Sequence, residues 1–180
     1  SSRDLEVDPD RVFVGASVDV GLLGDKLETS YYLFGQQNGD LVDRQAAGAE
    51  FRYFDPKRAA YGVVDYDVHF EELNLALLSG TLRFDDNSSF NVALDYRRSP
   101  LLTTFNSVIG QGVEAPSDLL DQFGEDEVYQ LAQDRSAFSR SAIMNYSRPL
   151  TKNLQVNVDM TATNVSGTKT SGGIVGQPAT

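Results

Sequence analysis

From Arg11 to Leu22 the chain alternates with period two: Val12, Val14, Ala16, Val18, Val20 and Leu22 share one side, and Phe13, Gly15, Ser17, Asp19 and Gly21 the other. Successive side chains of a strand project to opposite faces, so the run predicts a strand with one apolar and one small or polar face. A second strand is expected over Thr29 to Gln37, where Tyr31, Tyr32, Leu33 and Phe34 lead into Gln37-Asn38-Gly39-Asp40. Asn-Gly is a strong hairpin signal. The third, Val42 to Phe54, sets Ala47, Ala49, Phe51 and Tyr53 against Ala46, Gly48, Glu50 and Arg52, and Asp55-Pro56-Lys57-Arg58 turns the chain. The fourth, Tyr61 to Phe70, sets Gly62, Val64, Tyr66, Val68 and Phe70 against Tyr61, Val63, Asp65, Asp67 and His69.

The fifth segment, Leu73 to Phe84, alternates cleanly only in its second half, and a bulge or burial on both sides accounts for its start. Phe90, Val92, Leu94 and Tyr96 mark the sixth strand, opposite Ser89, Asn91, Ala93, Asp95 and Arg97. The pattern then breaks. Leu119, Leu120, Phe123, Val128 and Leu131 recur at helical spacing, which predicts two short helices on a long loop at 102–136, with Ser117 as an N-cap and Gly124 as an interruption. Strands return at Phe138 to Arg148, turn at Pro149-Leu150-Thr151-Lys152-Asn153, and continue over Leu154 to Asn164. The expected organisation is an extension at 1–10, β-strands over 11–166, and a flexible end or truncated loop at 167–180.

Strand length chooses among the β architectures. Most of these segments run about 10 to 12 residues, against roughly 5 to 6 in soluble proteins and about 9 to 11 for tilted strands that cross a bilayer. The expected fold is therefore all-β: an antiparallel up-and-down transmembrane β-barrel, or about eight consecutive strands of a larger one. Asp19, Glu50, Arg52, Asp65, Asp67, His69, Asp95, Arg97 and Asp159 all lie opposite the apolar stripe, where they would line a hydrated lumen. Tyr53, Phe54, Phe70, Phe84, Phe90, Tyr96 and Tyr146 fall near strand ends, as interfacial aromatic girdles do. The same period would serve a soluble barrel or sandwich with its apolar stripe turned inward around a small apolar ligand, and that is the alternative reading.

Phe51-Arg52-Tyr53-Phe54-Asp55-Pro56-Lys57-Arg58, then Gly62-Val63-Val64-Asp65-Tyr66-Asp67 and Leu94-Asp95-Tyr96-Arg97-Arg98-Ser99-Pro100-Leu101-Leu102, resemble the C-terminal barrel region of large Gram-negative outer-membrane proteins, several of which carry tetratricopeptide repeats ahead of the barrel. Arg148-Pro149-Leu150-Thr151-Lys152-Asn153-Leu154 is similar to periplasmic turns of such barrels. The resemblance covers roughly residues 40 to 165. It implies an outer-membrane location, contact with membrane lipid, a periplasmic repeat domain or further strands as partners, and a part in an export or diffusion pore for polysaccharide or small solutes. The chain has neither the repeat domain nor a final aromatic-terminated strand, so a fragment of a longer chain is expected, and its start at Ser1 is read as a mature form or an excerpt.

Composition narrows the chemistry. The 180 residues hold 15 Lys+Arg and 26 Asp+Glu, a formal net charge of −11, which argues against nucleic acid as a partner. With no Cys, thiol catalysis and Cys-type zinc sites are excluded. No apolar run approaches the roughly 20 residues of a spanning helix. Asp65, Asp67, His69 and Glu71 alternate along one strand, but ligands two apart lie about 7 Å from each other, too far to share a cation unaided. Lumen lining is the favoured reading, with no metal or cofactor expected. His69 as the base of a lipid-acting barrel enzyme lacks a nucleophile motif such as G-x-S-x-G, so no enzymatic role is expected. Glu125-Asp126-Glu127 suits the start of a helix. Arg52, Arg97 and Arg98 either face Asp65 and Asp95 across a constriction or pair with nearby carboxylates to hold the register.

Overall fold

A computed structural model describes residues 11–120 and 122–168. Eight strands form one antiparallel sheet in which spatial order follows chain order: β1 (Arg11–Leu22), β2 (Leu27–Asn38), β3 (Leu41–Phe54), β4 (Arg58–Asp67), β5 (Glu72–Arg83), β6 (Ser89–Ser99), β7 (Ala137–Thr151) and β8 (Leu154–Val165). β1 and β8 are the two edges and do not pair with each other, so this is an open up-and-down sheet, the form a run of consecutive barrel strands takes. The expectations for residues 1–10 and 169–180 lie outside the described residues.

Register carries each face continuously across the sheet. Asp19, Ser30, Glu50, Val63, Leu77, Asp95, Ser141 and Thr163 are successive cross-strand partners from β1 to β8, and partners share a face. The adjacent row on the opposite face runs Val20, Thr29, Phe51, Gly62, Leu78, Leu94, Ala142 and Ala162. Exposure separates the two faces most clearly in β4 and the turn after it: Val64, Tyr66 and Val68 are exposed while Asp65 and Asp67 are buried.

Two bulges explain how the connection between β6 and β7 is held. Gln36 and Gln37 pair with Arg44 and Val42, leaving Asp43 as an extra residue in β3. Asp65 and Tyr66 pair with Leu75 and Leu73, leaving Asn74 extra in β5, which accounts for the irregular start of that segment. Each re-aimed side chain accepts a backbone N–H of the connection: Asp43 Oδ1 from Phe105 at 3.0 Å and Asn74 Oδ1 from Leu102 at 3.1 Å. Thr104 Oγ1 adds a bond to the Val42 carbonyl at 2.6 Å. The connection contains a 3-10 turn (Thr104–Val108), α1 (Ser117–Leu120) and α2 (Glu125–Asp134). Its apolar residues build the buried core, with Leu119 and Val128 on Leu41, and Leu102 and Ala132 on Phe70.

Several expectations are revised. β4 stops at Asp67 because Asp67 Oδ1 accepts the N–H of His69 at 3.0 Å and of Phe70 at 2.9 Å, closing a turn; His69 and Glu71 are therefore not strand residues. Phe70 is a core residue and not part of a girdle. β7 passes through Pro149 to Thr151, since the missing N–H is tolerated where the register shifts between Pro149 and Thr151. Ser117 is the first residue of α1, not its cap; Asp118 Oδ2 instead accepts the Ala115 N–H at 3.0 Å. Gly124 is the N-cap of α2, with Glu125, Asp126 and Glu127 in its first turn as the helix dipole favours.

Replacing Asp43 by Ala should loosen the connection without unfolding the sheet. Leaving the Phe105 N–H unpaired costs about 1–3 kcal/mol. Hydrogen exchange should rise across 102–136 and stay slow in β4 to β7, with a smaller rise in Asp43→Asn.

Candidate functional site

The polar face holds the functional candidates, and its charges gather at two ends. Beneath the connection, Arg44 Nη2 lies 2.5 Å from Asp65 Oδ1 and Arg44 Nε lies 3.9 Å from Asp67 Oδ2. The Tyr32 hydroxyl donates to the other oxygen of Asp65. That reach follows from the register: Tyr32 pairs with Gly48, which pairs with Asp65, and the phenol ring lies across the glycine. A Cβ at Gly48 would fall 2.0 Å from the Tyr32 ring, so only glycine leaves room for it. Asp43 adds a third buried carboxylate, bonded by Gln36 and 3.7 Å from Arg11. A guanidinium beside Asp65 and Asp67 offsets the cost of burying them.

At the opposite end, a depression of about 570 Å³ is lined by Asp19, Asp25, Glu28, Glu50 and Arg52, four carboxylates to one guanidinium. At the same end, beyond the Arg52 row, a polar ladder runs across β5 to β8 and ends on Asp159. Thr81 Oγ1 donates to Asn91 Oδ1 at 2.8 Å, Asn91 Nδ2 to Asn145 Oδ1 at 3.0 Å, and Asn145 Nδ2 to Asp159 Oδ1 at 2.6 Å. Gln155 extends the pattern to Ser147 and Asn157 at 2.7 and 2.9 Å.

Eight of the nine residues picked from sequence share this face by register. Asp19, Glu50 and Asp95 occupy one cross-strand row; Asp65 and Arg97 occupy a neighbouring one. Arg52 and Asp159 lie further toward the open end and Asp67 toward the connection. His69 is the exception: its ring sits edge-on to Tyr129 and Phe70, with centroids at 4.3 and 4.9 Å. The arginines pair locally. Arg52 Nη2 is 2.7 Å from Glu50, Arg97 binds Asp95 two residues back, and Arg98, on the opposite face, is 2.7 Å from Glu72. None of these three contacts Asp65, whose partner is Arg44.

Arg44 was not singled out from sequence, and Tyr32 was read only as a residue of the second strand. Extending the β3 alternation two residues before Ala46 reaches Arg44, so its face was readable; its ion pairs needed the β2–β4 register. Asp25 sits in the turn 23–26, where period two carries no signal, and Glu28 lies in β2 just before Thr29, where the alternation was read as starting. Among the described residues no group of His, Asp and Glu is arranged to hold a metal ion.

No family model, curated protein or solved structure matches this chain.

Two measurements follow. Arg44→Ala strands two buried carboxylates and should cost about 3 kcal/mol or more by denaturant unfolding, whereas Arg52→Ala, which removes a solvent-screened pair, should cost less than about 1. On α2, burial and the hydrogen bond to Glu125 push the Tyr129 phenol up to about 12. A raised tyrosine pKa favours the folded state while the phenol is neutral. That contribution is complete below the unfolded value near 10 and fades as pH rises toward about 12. Tyr129→Phe should remove one late-titrating tyrosine from the ultraviolet titration.

Proposed function

We propose that this chain is a membrane-spanning part of a Gram-negative outer-membrane β-barrel that contributes to an export or diffusion pore for polysaccharide or small solutes. The single observation that carries the reading is the inversion of exposure: large apolar side chains are exposed while Asp65 and Asp67 are buried with Arg44 beside them. Leu33 is 64% exposed, Val14 69% and Met160 64%, which water would penalise and acyl chains would not. Strands of 10 to 15 residues are long enough to cross a bilayer at a tilt.

The connections support an orientation. One end carries only short links, 23–26, 55–57, 84–88 and 152–153; the other carries the short links 39–40 and 68–71 together with the long connection 100–136. Outer-membrane barrels keep short turns on the periplasmic side and long loops outside, so the helical connection is read as external and the acidic depression as periplasmic. Passage would be passive, with the Asp- and Glu-rich face favouring cations and neutral sugars over anions. An eight-stranded barrel is filled by its own side chains. A pore therefore requires further strands at the open edges β1 and β8.

The test is partition and protection of the full chain. Folded into phosphatidylcholine vesicles, the chain should remain with the lipid, be released only by detergent, and expose cleavage sites in 100–136 while the strands stay intact. A folded monomer in plain buffer would overturn the proposal and favour an inward-facing apolar stripe.

A further inference from the structure

The apolar face is not uniform. Across β3 to β5 the small residues Ala49, Gly62 and Ala76 open a shallow groove of about 550 Å³ that continues to β7 between the Leu78 and Tyr96 rows. The ring of Phe51 lies across Gly62, so the floor is packed and not a gap in the sheet. At the β7 end of this groove stands Arg140, a charged residue paired across the sheet with Tyr96 on one side and Asn164 on the other. Its guanidinium lies 4.8 Å from the Phe138 ring and 5.6 Å from the Tyr96 ring, and those two rings are themselves stacked at 5.9 Å. Arg140 forms no ion pair among the described residues, whereas Arg98 on the same face has Glu72 and Arg148 has Asp86.

We propose that this groove with Arg140 is a binding site for one membrane lipid with an anionic, phosphate-bearing headgroup. The inference rests on the membrane reading above. Arg140 lies three residues from the start of β7, about 10 Å along the strand. Strand tilt shortens that depth, and the side chain can reach the headgroup level. An arginine placed there without a carboxylate is matched by an anion from the bilayer. The aromatic pair fixes the guanidinium plane, leaving its N–H edges for phosphate oxygens, which a planar fork binds in pairs. Apolar walls below the head accept an acyl chain. The row runs across strands that are themselves inclined, so a chain in it would lie oblique to the membrane normal. By the orientation argued from the connections, the site faces the outer leaflet.

The experiment uses the full chain in vesicles of equal phosphatidylcholine and phosphatidylglycerol, extracted in mild detergent, with co-purifying lipid counted by mass spectrometry. Wild type should retain phosphatidylglycerol about fivefold over phosphatidylcholine, the preference one arginine near a bilayer surface confers. Arg140→Gln should bring the ratio near one, and Arg148→Gln, at the other end of the same face, should leave it unchanged. Arg140→Lys keeps the charge and should hold part of the preference. Ala76→Leu fills the groove and should lower retention of both lipids. Insertion into pure phosphatidylcholine is scored in parallel for every variant. Insertion with an Arg140-independent ratio, or with no wild-type preference, overturns the lipid site alone; failure of the wild type to insert overturns the membrane reading and the site with it.

Discussion

Everything in this sheet depends on its strands staying in phase. Side chains alternate with period two, so a slip of one residue between neighbours would carry Asp19, Glu50, Asp95 and Asp159 into the apolar face all at once. The three register shifts fall near strand ends, at Gln36/Gln37, Asp65/Tyr66 and Pro149/Thr151. The central rows therefore run unbroken from β1 to β8. Ladder pairing alone would tolerate a slip in a sheet with two similar faces. Here each slip would place a carboxylate among valines and leucines, and that penalty fixes the register more firmly than backbone hydrogen bonds.

The irregularities at the ends are used. A bulge leaves one residue without a cross-strand partner, and in β3 and β5 that residue is polar and buried. Asp43 and Asn74 accept N–H groups that the connection, lacking a ladder of its own, must satisfy elsewhere. The connection in turn supplies the apolar surface of Leu102, Leu119, Val128 and Ala132, which the exposed faces of the sheet do not. Sheet and connection are thus held by different interactions. The sheet stands on register and the connection on a few buried contacts and two re-aimed acceptors, so local opening of 100–136 need not disturb the strands.

Much of this was legible in the sequence, for a reason that also marks where legibility ends. Period two is a one-dimensional signal, so the eight strands, the break at 102–136 and the facing of Asp19, Glu50, Asp65 and Asp95 could all be read from neighbours along the chain. Partnership across strands is a two-dimensional property. Arg52, Arg97 and Arg98 looked available for Asp65, yet β2 and β3 bring Tyr32 and Arg44 to it. His69 kept the right parity but lost its strand, because Asp67 caps the turn that begins two residues earlier, a side-chain event that alternation does not encode. The Pro149 turn was placed early for a related reason: proline ends a ladder only where its N–H would be needed.

The distribution of charge on the polar face also bears on what the face could pass. The cluster under the connection is largely internally satisfied, with Arg44 shared between Asp65 and Asp67 and Arg11 near Asp43. A passing ion would find few oxygens there without a partner. The depression near 23–28 is the reverse: Asp19, Asp25 and Glu28 form no ion pair among the described residues, and Arg52 is engaged by Glu50. Its potential is uncompensated, and a low-dielectric wall beside it would concentrate cations. On the proposed reading the two ends therefore divide the work. The external end is closed by protein and closed in charge, and the periplasmic end is open and negative. Selectivity would then be set at the entrance near 23–28, while access would be limited by the connection at 100–136.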